Sequence, residues 1–383
     1  MSKLEAAKQL MEEFARRTGL EGGANGNIKR RYLWTDAFAV QTFFGLAKGT
    51  GDEGYKDLAL KLVDQVHSTL GRFREDDRRT GWISGLSEEE GSQHPTINGL
   101  RIGKPQPERT PQDQYDEDDE WDRDGQYMHY ITRWIQALIQ TFQETGNKKY
   151  AIWAAELIQA SHKFVDKSGS RPHMYWKLNT DLSKPAVPFM GAHDPLEGAM
   201  LARTAKLVVP EKSSQLDEFI RDMDCLCQRH DWSTPDPLGL GGLLLNVPRS
   251  LELESAGILL PPELQTKKLY EDACVGLQQY RWSMSPNKPA SRRLAFRECG
   301  LSLGLRVMDD LKNHCACSTL AFDEIPQYIP LADTIERFWT QSDNQRSPTW
   351  EDHLDINAVM LAASLTAAHS PDTASVFSVP KKQ

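Results

Sequence analysis

The chain uses one turn twice. Thr50-Gly51-Asp52-Glu53-Gly54-Tyr55, with Ala59 after it, returns as Thr145-Gly146-Asn147-Lys148-Lys149-Tyr150, with Ala154 in the same register. Each copy sits between two segments of helical period, 34–47 and 55–70 around the first and 126–144 and 150–165 around the second. In such a turn the glycine ends one helix in a left-handed conformation, and the Asp or Asn beside it caps the next. Apolar residues stand on both sides of each turn, and a lone helical hairpin cannot bury both faces. The pattern therefore predicts an array of hairpins that stack on their neighbours. Further helices are expected at 195–207, 214–227, 265–279, 292–310, 331–340 and 353–368, while strand-like alternation is scarce. The expectation is one all-helical domain spanning 1–383.

Composition narrows the functions open to such an array. With 39% hydrophobic and 26% charged residues, the 383-residue chain has the profile of a globular protein. No stretch approaches the ~20 apolar residues of a membrane span. The start, MSKLEAAKQLMEEFARR, reads as an amphipathic helix with Glu5, Glu12 and Glu13 and lacks the apolar core of a secretory signal, so a cytoplasmic location is expected. A net charge of −9 and the lack of a basic stripe with interleaved aromatics argue against nucleic acid as a partner and leave a small molecule. The six cysteines form two Cys-x-Cys pairs and two singles, a spacing that suits neither a structural zinc site nor a disulfide framework, and free thiols are expected.

The densest chemistry lies in Asp116-Glu117-Asp118-Asp119-Glu120-Trp121-Asp122-Arg123-Asp124, seven carboxylates in nine residues. Facing water, this run is a solvated loop that leads into a helix N-terminus, where acids are favoured. Facing a cavity, carboxylates at helical spacing would hold Mg²⁺, a hard cation that takes oxygen ligands. Trp121, Tyr127, Tyr130 and Trp134 follow at helical spacing and tilt the reading toward an aromatic-lined interior.

Upstream, the Pro- and Gly-rich segment 71–120 is long for a connection inside a compact domain and is expected to be functional. It holds His94, Arg101, Lys104, Glu108 and Arg109, with prolines and a glycine that restrain Arg101 and Lys104. Those cations would either grip an anion or pair with the acidic run. Asp36 is either an ordinary first-turn acid or a catalytic carboxylate. His193-Asp194-Pro195-Leu196-Glu197 fits a helix cap with Asp194 as N-cap and Pro195 at the first position, or else a metal or substrate contact. Near the C-terminus, Glu351, Asp352 and Asp355 are expected to cap the helix that follows.

The Leu33-Trp34-Thr35-Asp36 start, the two Thr-Gly turns and the Trp-rich helices resemble the six-hairpin α/α toroid proteins, which include glycosidases, sugar epimerases and lyases. This resemblance implies a ring of inner helices around a pocket, with the active site in the connecting loops at one end. On that fold a glycosidase would use two carboxylates, Asp36 with Asp124 or Asp194, and stack sugar rings on tryptophan faces.

A second resemblance points elsewhere. Trp282, Met284 and Lys288, with Arg292 and Arg293, form a restrained basic and apolar group, and a large residue four positions before a lysine, downstream of an Asp-rich run, is similar to the atypical fungal humulene synthases. It implies Mg²⁺ on Asp116, Asp118, Asp119 and Asp122, Lys288, Arg101 and Lys104 on farnesyl diphosphate, and an apolar wall that includes Trp34, Trp121, Tyr127, Trp282 and Met284. No second metal motif of the usual cyclase kind is present. The leading expectation is therefore a Mg²⁺-dependent sesquiterpene cyclase, a lyase, with an intracellular glycosidase as the alternative and a helical binding module as the weakest reading.

Overall fold

The computed structural model describes residues 2–21, 31–110, 112–283, 288–314 and 323–377. Among them the helices are α1 (Lys3–Arg17), α2 (Leu33–Thr50), α3 (Gly54–Leu70), α4 (Glu88–Gln93), α5 (Glu117–Asp122), α6 (Met128–Thr145), α7 (Lys148–Ser161), α8 (Asp194–Val208), α9 (Ser213–Cys227), α10 (Pro237–Ser255), α11 (Thr266–Ser283), α12 (Ala295–His314), α13 (Ile329–Trp339), α14 (Pro348–Glu351), α15 (Leu354–Ala367) and α16 (Pro371–Ala374). Strands are short: β1 (Gln126–Tyr127), β2 (Val165–Asp166), β3 (His173–Met174), β4 (Lys177–Leu178) and β5 (Pro185–Val187). No helix among the described residues is long and apolar enough to cross a membrane.

The two Thr-Gly turns have the same internal construction. Gly51 and Gly146 adopt φ of +73° and +67°. Their N–H groups bond back to Ala47 O at 2.8 Å and Phe142 O at 2.7 Å. Thr50 and Thr145 each donate a hydroxyl to the carbonyl four residues earlier, at 2.7 and 2.6 Å. Asp52 accepts from Gly54 N–H at 2.9 Å and Asn147 from Lys149 N–H at 3.1 Å, so each caps the next helix. Tyr55 and Tyr150 are buried behind the turns.

By its contacts the chain divides into two compact units, one of residues 1–17, 41–59 and 229–383 and the other of residues 18–40 and 60–228. In the first, α10 packs on α11 and α12, and α12 on α13 and α15, with α1 against α15. Its core holds an ionic knot in which Arg306 donates to both oxygens of Glu336, at 2.9 and 2.7 Å, and the Ser364 hydroxyl adds a bond at 2.7 Å. Helix α10 is not among the helices expected from the sequence, and it contains Gly239, Gly241, Gly242 and Pro248, residues that usually break helices. A Cβ on Gly241 would lie 2.2 Å from Gly300 O, so that glycine serves the close approach of α10 to α12 rather than a turn.

In the second unit α6 packs on α7 and α8, and α8 on α9. A three-stranded antiparallel sheet, in the order β1-β4-β5, pairs Gln126 with Leu178 and Tyr127 with Lys177. Met128 N–H continues the pairing to Trp176 O at 3.1 Å. This register lays Trp176 over the first turn of α6, and that placement builds the site described next.

Candidate active site

The acidic run is divided by burial into two sets. Asp116 caps α5, accepting from the N–H groups of Asp118 at 2.9 Å and Asp119 at 3.3 Å. Asp118, Asp119 and Asp122 are exposed. Glu120 and Asp124 are buried, and each is held by cations. Glu120 takes Arg109 Nε at 2.7 Å and Lys177 Nζ at 3.3 Å. Burial lowers the pKa of Lys177, which also donates to Arg123 O at 2.9 Å. Asp124 pairs with Arg101 and accepts from the N–H groups of Gly103 and Gly125, both at 3.0 Å.

The restrained cations of the loop thus face the acidic run. Arg101 spends its other donors on Arg72 O at 2.6 Å and Thr69 O at 2.8 Å. Lys104 lies 3.8 Å from Asp122 and 5.8 Å from the Tyr32 ring centre, with a pKa lowered by burial. Asp36 accepts from Tyr32 N–H at 3.0 Å and lies 3.4 Å from Arg31, as a first-turn acid would. Trp34 is buried against Phe38, with ring centres 4.6 Å apart. Lys288 is exposed and belongs to the first unit, Trp282 is the penultimate residue of α11, and Met284 lies outside the described residues.

An aromatic cluster gathers instead at the start of α6. Tyr127 stands 5.1 Å from His129, 5.2 Å from Tyr130 and 5.9 Å from Trp176, and Trp121 lies 4.8 Å from Trp176. Tyr32 and Tyr130 join through their hydroxyls. Tyr127 is buried and its hydroxyl has no bonding partner, whereas Trp121 is 41% exposed. The cluster therefore combines an exposed aromatic face with a buried polar group that has no partner.

The first turn of α8 adds the acid chemistry. Asp194 is not the N-cap; His193 holds that position, and Asp194 opens the helix with Pro195 behind it. Nor does Glu197 close a capping box. It crosses to α6, where Thr132 Oγ1 donates to it at 2.7 Å and Arg133 pairs with its other oxygen. Asp194 is buried with Oδ2 unbonded. A Cβ on residue 191 would come within 2.4 Å of that oxygen, so Gly191 makes the room its carboxyl occupies. Burial first, and the neighbouring charge of Glu197 second, push the Asp194 pKa up to about 8, with Arg133 opposing. Asp194 is therefore a carboxylic acid at neutral pH.

Two further clusters of ionisable side chains lie apart from these residues. Among the described residues, the His/carboxylate group close enough to share a cation is His162, Glu218 and Asp222, and Lys167 already sits 2.8 Å from Glu218 and 2.6 Å from Asp222. In the first unit a cavity of about 440 Å³ is lined by Arg229, His230, Glu263, Lys268 and Asp272, and its Lys268 and Asp272 pair at 2.6 Å.

No protein-family model matches the chain, and no curated protein matches it in sequence. Solved structures do. The α-1,6-mannanase GH76A of Salegentibacter sp. HEL1_6 is similar at a TM-score of 0.58 with 11% identity, over 96% of this chain and 100% of that one. An inactive variant of that mannanase, with two neighbouring aspartates replaced by alanine and α-1,6-mannotetrose bound, gives 0.52 and 13%, over 97% and 100%. Cellobiose 2-epimerase from Spirochaeta thermophila DSM 6192 gives 0.49 and 12%, over 96% and 98%. At such identities the mannanase likeness shows the fold, which is all-α and of the α/α toroid type built of helical hairpins. The resemblance to humulene synthases is overturned, since the matching folds are those of sugar enzymes. Its lyase chemistry and sesquiterpene product go with it, as does the reason it supplied for expecting Mg²⁺.

Proposed function

We propose that the chain is a carbohydrate-active enzyme of glycoside hydrolase type, with Asp194 as its proton donor and the aromatic cluster of α6 as its sugar platform. The observation that carries this reading is the buried carboxyl of Asp194, its Oδ2 unbonded, three residues before the Glu197 that Thr132 and Arg133 fix. Cleaving a glycosidic bond needs an acid that is still protonated near neutral pH to meet the leaving oxygen, and two carboxyl groups with different environments supply that division of roles. Burial keeps the proton on Asp194, the charge of Glu197 adds to it, and Glu197 is itself fixed by Thr132 and Arg133. The faces of Trp121 and Trp176 suit the apolar faces of sugar rings, as amphipathic aromatic surfaces do. Support also comes from the fold neighbour, a mannanase whose inactive variants bind α-1,6-mannotetrose and α-1,6-mannotriose.

The substrates to try first are therefore neutral oligosaccharides, beginning with α-1,6-linked mannose, read by release of reducing sugar. Asp194→Asn should lower turnover by ~10²-fold or more, the contribution of a positioned general acid. A wild-type enzyme inert on a broad panel of glycosides, or an Asp194→Asn variant with full activity, would show the reading to be wrong.

A further inference from the structure

His129 opens α6 at the centre of the aromatic cluster, half-buried between Tyr127, Tyr130 and Trp176. The Nε1–H of Trp176 lies 2.7 Å from Nδ1 of His129. An indole nitrogen only donates, so Nδ1 must accept, and a neutral imidazole that accepts through one nitrogen carries its proton on the other. The direction of this bond is fixed by chemistry rather than assigned.

We infer that Trp176 holds His129 as the Nε2–H tautomer, making it a fixed neutral donor to an uncharged oxygen of the sugar bound at this site. The inference rests on the sugar-enzyme reading and adds a specificity determinant to it. Three observations support it. Burial, aided by the charge of Arg133, lowers the pKa of His129 to about 3, so the ring stays neutral at physiological pH. The same Arg133 acts on Asp194, so donor and acid lie within the field of one charge. The neighbouring ring of Tyr127, 5.1 Å away between ring centres, carries a buried hydroxyl without a partner, a second polar group left unsatisfied beside His129.

A second indole–imidazole pair in the same unit marks what is special here. Trp134 Nε1 donates to His67 Nε2 at 3.0 Å, but His67 is fully enclosed, its ring edge-on to Trp134 and Trp153, and its Nδ1 has no partner. His67 packs the core. His129 has the same lock on a ring that is only half-buried, which the His67 ring is not.

The test is ¹⁵N NMR of the full chain labelled at histidine. In the wild type His129 should show a protonated Nε2 and an unprotonated Nδ1, unchanged between about pH 5 and 8. Trp176→Phe keeps the ring and removes the donor, so the two tautomers should mix. Binding is read on Asp194→Asn, which separates it from turnover. Adding α-1,6-mannotriose should move the Nε2 signal, and trigalacturonic acid should not. On whichever glycoside the enzyme cleaves, His129→Leu should cost about five- to tenfold in kcat/KM, the scale of one neutral hydrogen bond, and His129→Gln should restore most of it. A proton on Nδ1, a Trp176→Phe spectrum identical to wild type, or an Nε2 signal indifferent to mannotriose would each overturn the inference. A failure of the enzyme reading shows separately, as absent turnover in the wild type.

Discussion

Thr132 on α6 donates its hydroxyl to Glu197 on α8 at 2.7 Å, and with Arg133 on the other oxygen this bond ties the second turn of α6 to the first turn of α8, the two helices that carry the site. Glu197 is thereby held where its charge bears on Asp194.

Burial, with that charge adding to it, makes Asp194 a pH-dependent element of the fold. Its folded pKa of about 8 lies above the ordinary carboxyl value, so the native state binds the proton more tightly than the unfolded chain does. The stabilisation is complete below about pH 4 and is lost as pH rises through about 8. Asp194→Asn, which cannot ionise, should have a melting temperature that changes less over this window and exceeds the wild type's at pH 9. If the two melting curves run parallel from pH 4 to 9, the Asp194 carboxyl is not protonated in the fold. In the wild type, kcat/KM should fall on the alkaline side near pH 8.

Asp124 is a structural anion. Replacing it with Ala leaves the buried Arg101 guanidinium without its carboxylate and should cost ~3–5 kcal/mol of stability. Urea unfolding measures it, and a loss below ~1 kcal/mol would mean that the pair is dispensable.

The exposed members of the acidic run should behave as surface residues. Asp118→Ala and Asp119→Ala should each change stability by less than ~0.5 kcal/mol, while Asp116→Ala, which removes a helix cap, should cost ~1 kcal/mol. Thermal denaturation of the three variants side by side distinguishes cap from surface.

The two Thr-Gly turns predict matching costs. Gly51→Ala and Gly146→Ala each place a Cβ on a left-handed residue with open space around it, so backbone strain alone is paid, ~1 kcal/mol in both. Chemical denaturation should find the two values within ~0.5 kcal/mol of each other, and a wide gap would deny the turns their equivalence.

What the sequence made legible is what neighbours along the chain decide. The turns at Gly51 and Gly146 and the helices around them follow from capping and period, which are local. Helix α10 did not, because Gly241 answers to Gly300 on another helix and no local pattern announces that. At Asp194 the sequence left a cap and a site carboxylate both open, for a related reason. Asp-Pro-x-Glu fits a cap, and only the crossing of Glu197 to Thr132 and Arg133 reveals a different use. His129, Arg133 and Trp176 went unread: Trp176 sits in an irregular hairpin, and the β1–β4 register that brings it to His129 is a tertiary pairing. The acidic run drew attention by its density, yet Glu120 and Asp124 are consumed by Lys177, Arg109 and Arg101.

His129 and Trp134 lie five positions apart on α6, one locked to Trp176 and the other to the core histidine His67. A helix advances about 100° per residue, so rotating α6 about its axis by even a fraction of that step would pull both indole–imidazole bonds apart together. The enclosed pair thus sets the angular phase of the helix, and the half-exposed imidazole inherits its aim from a contact deep in the core.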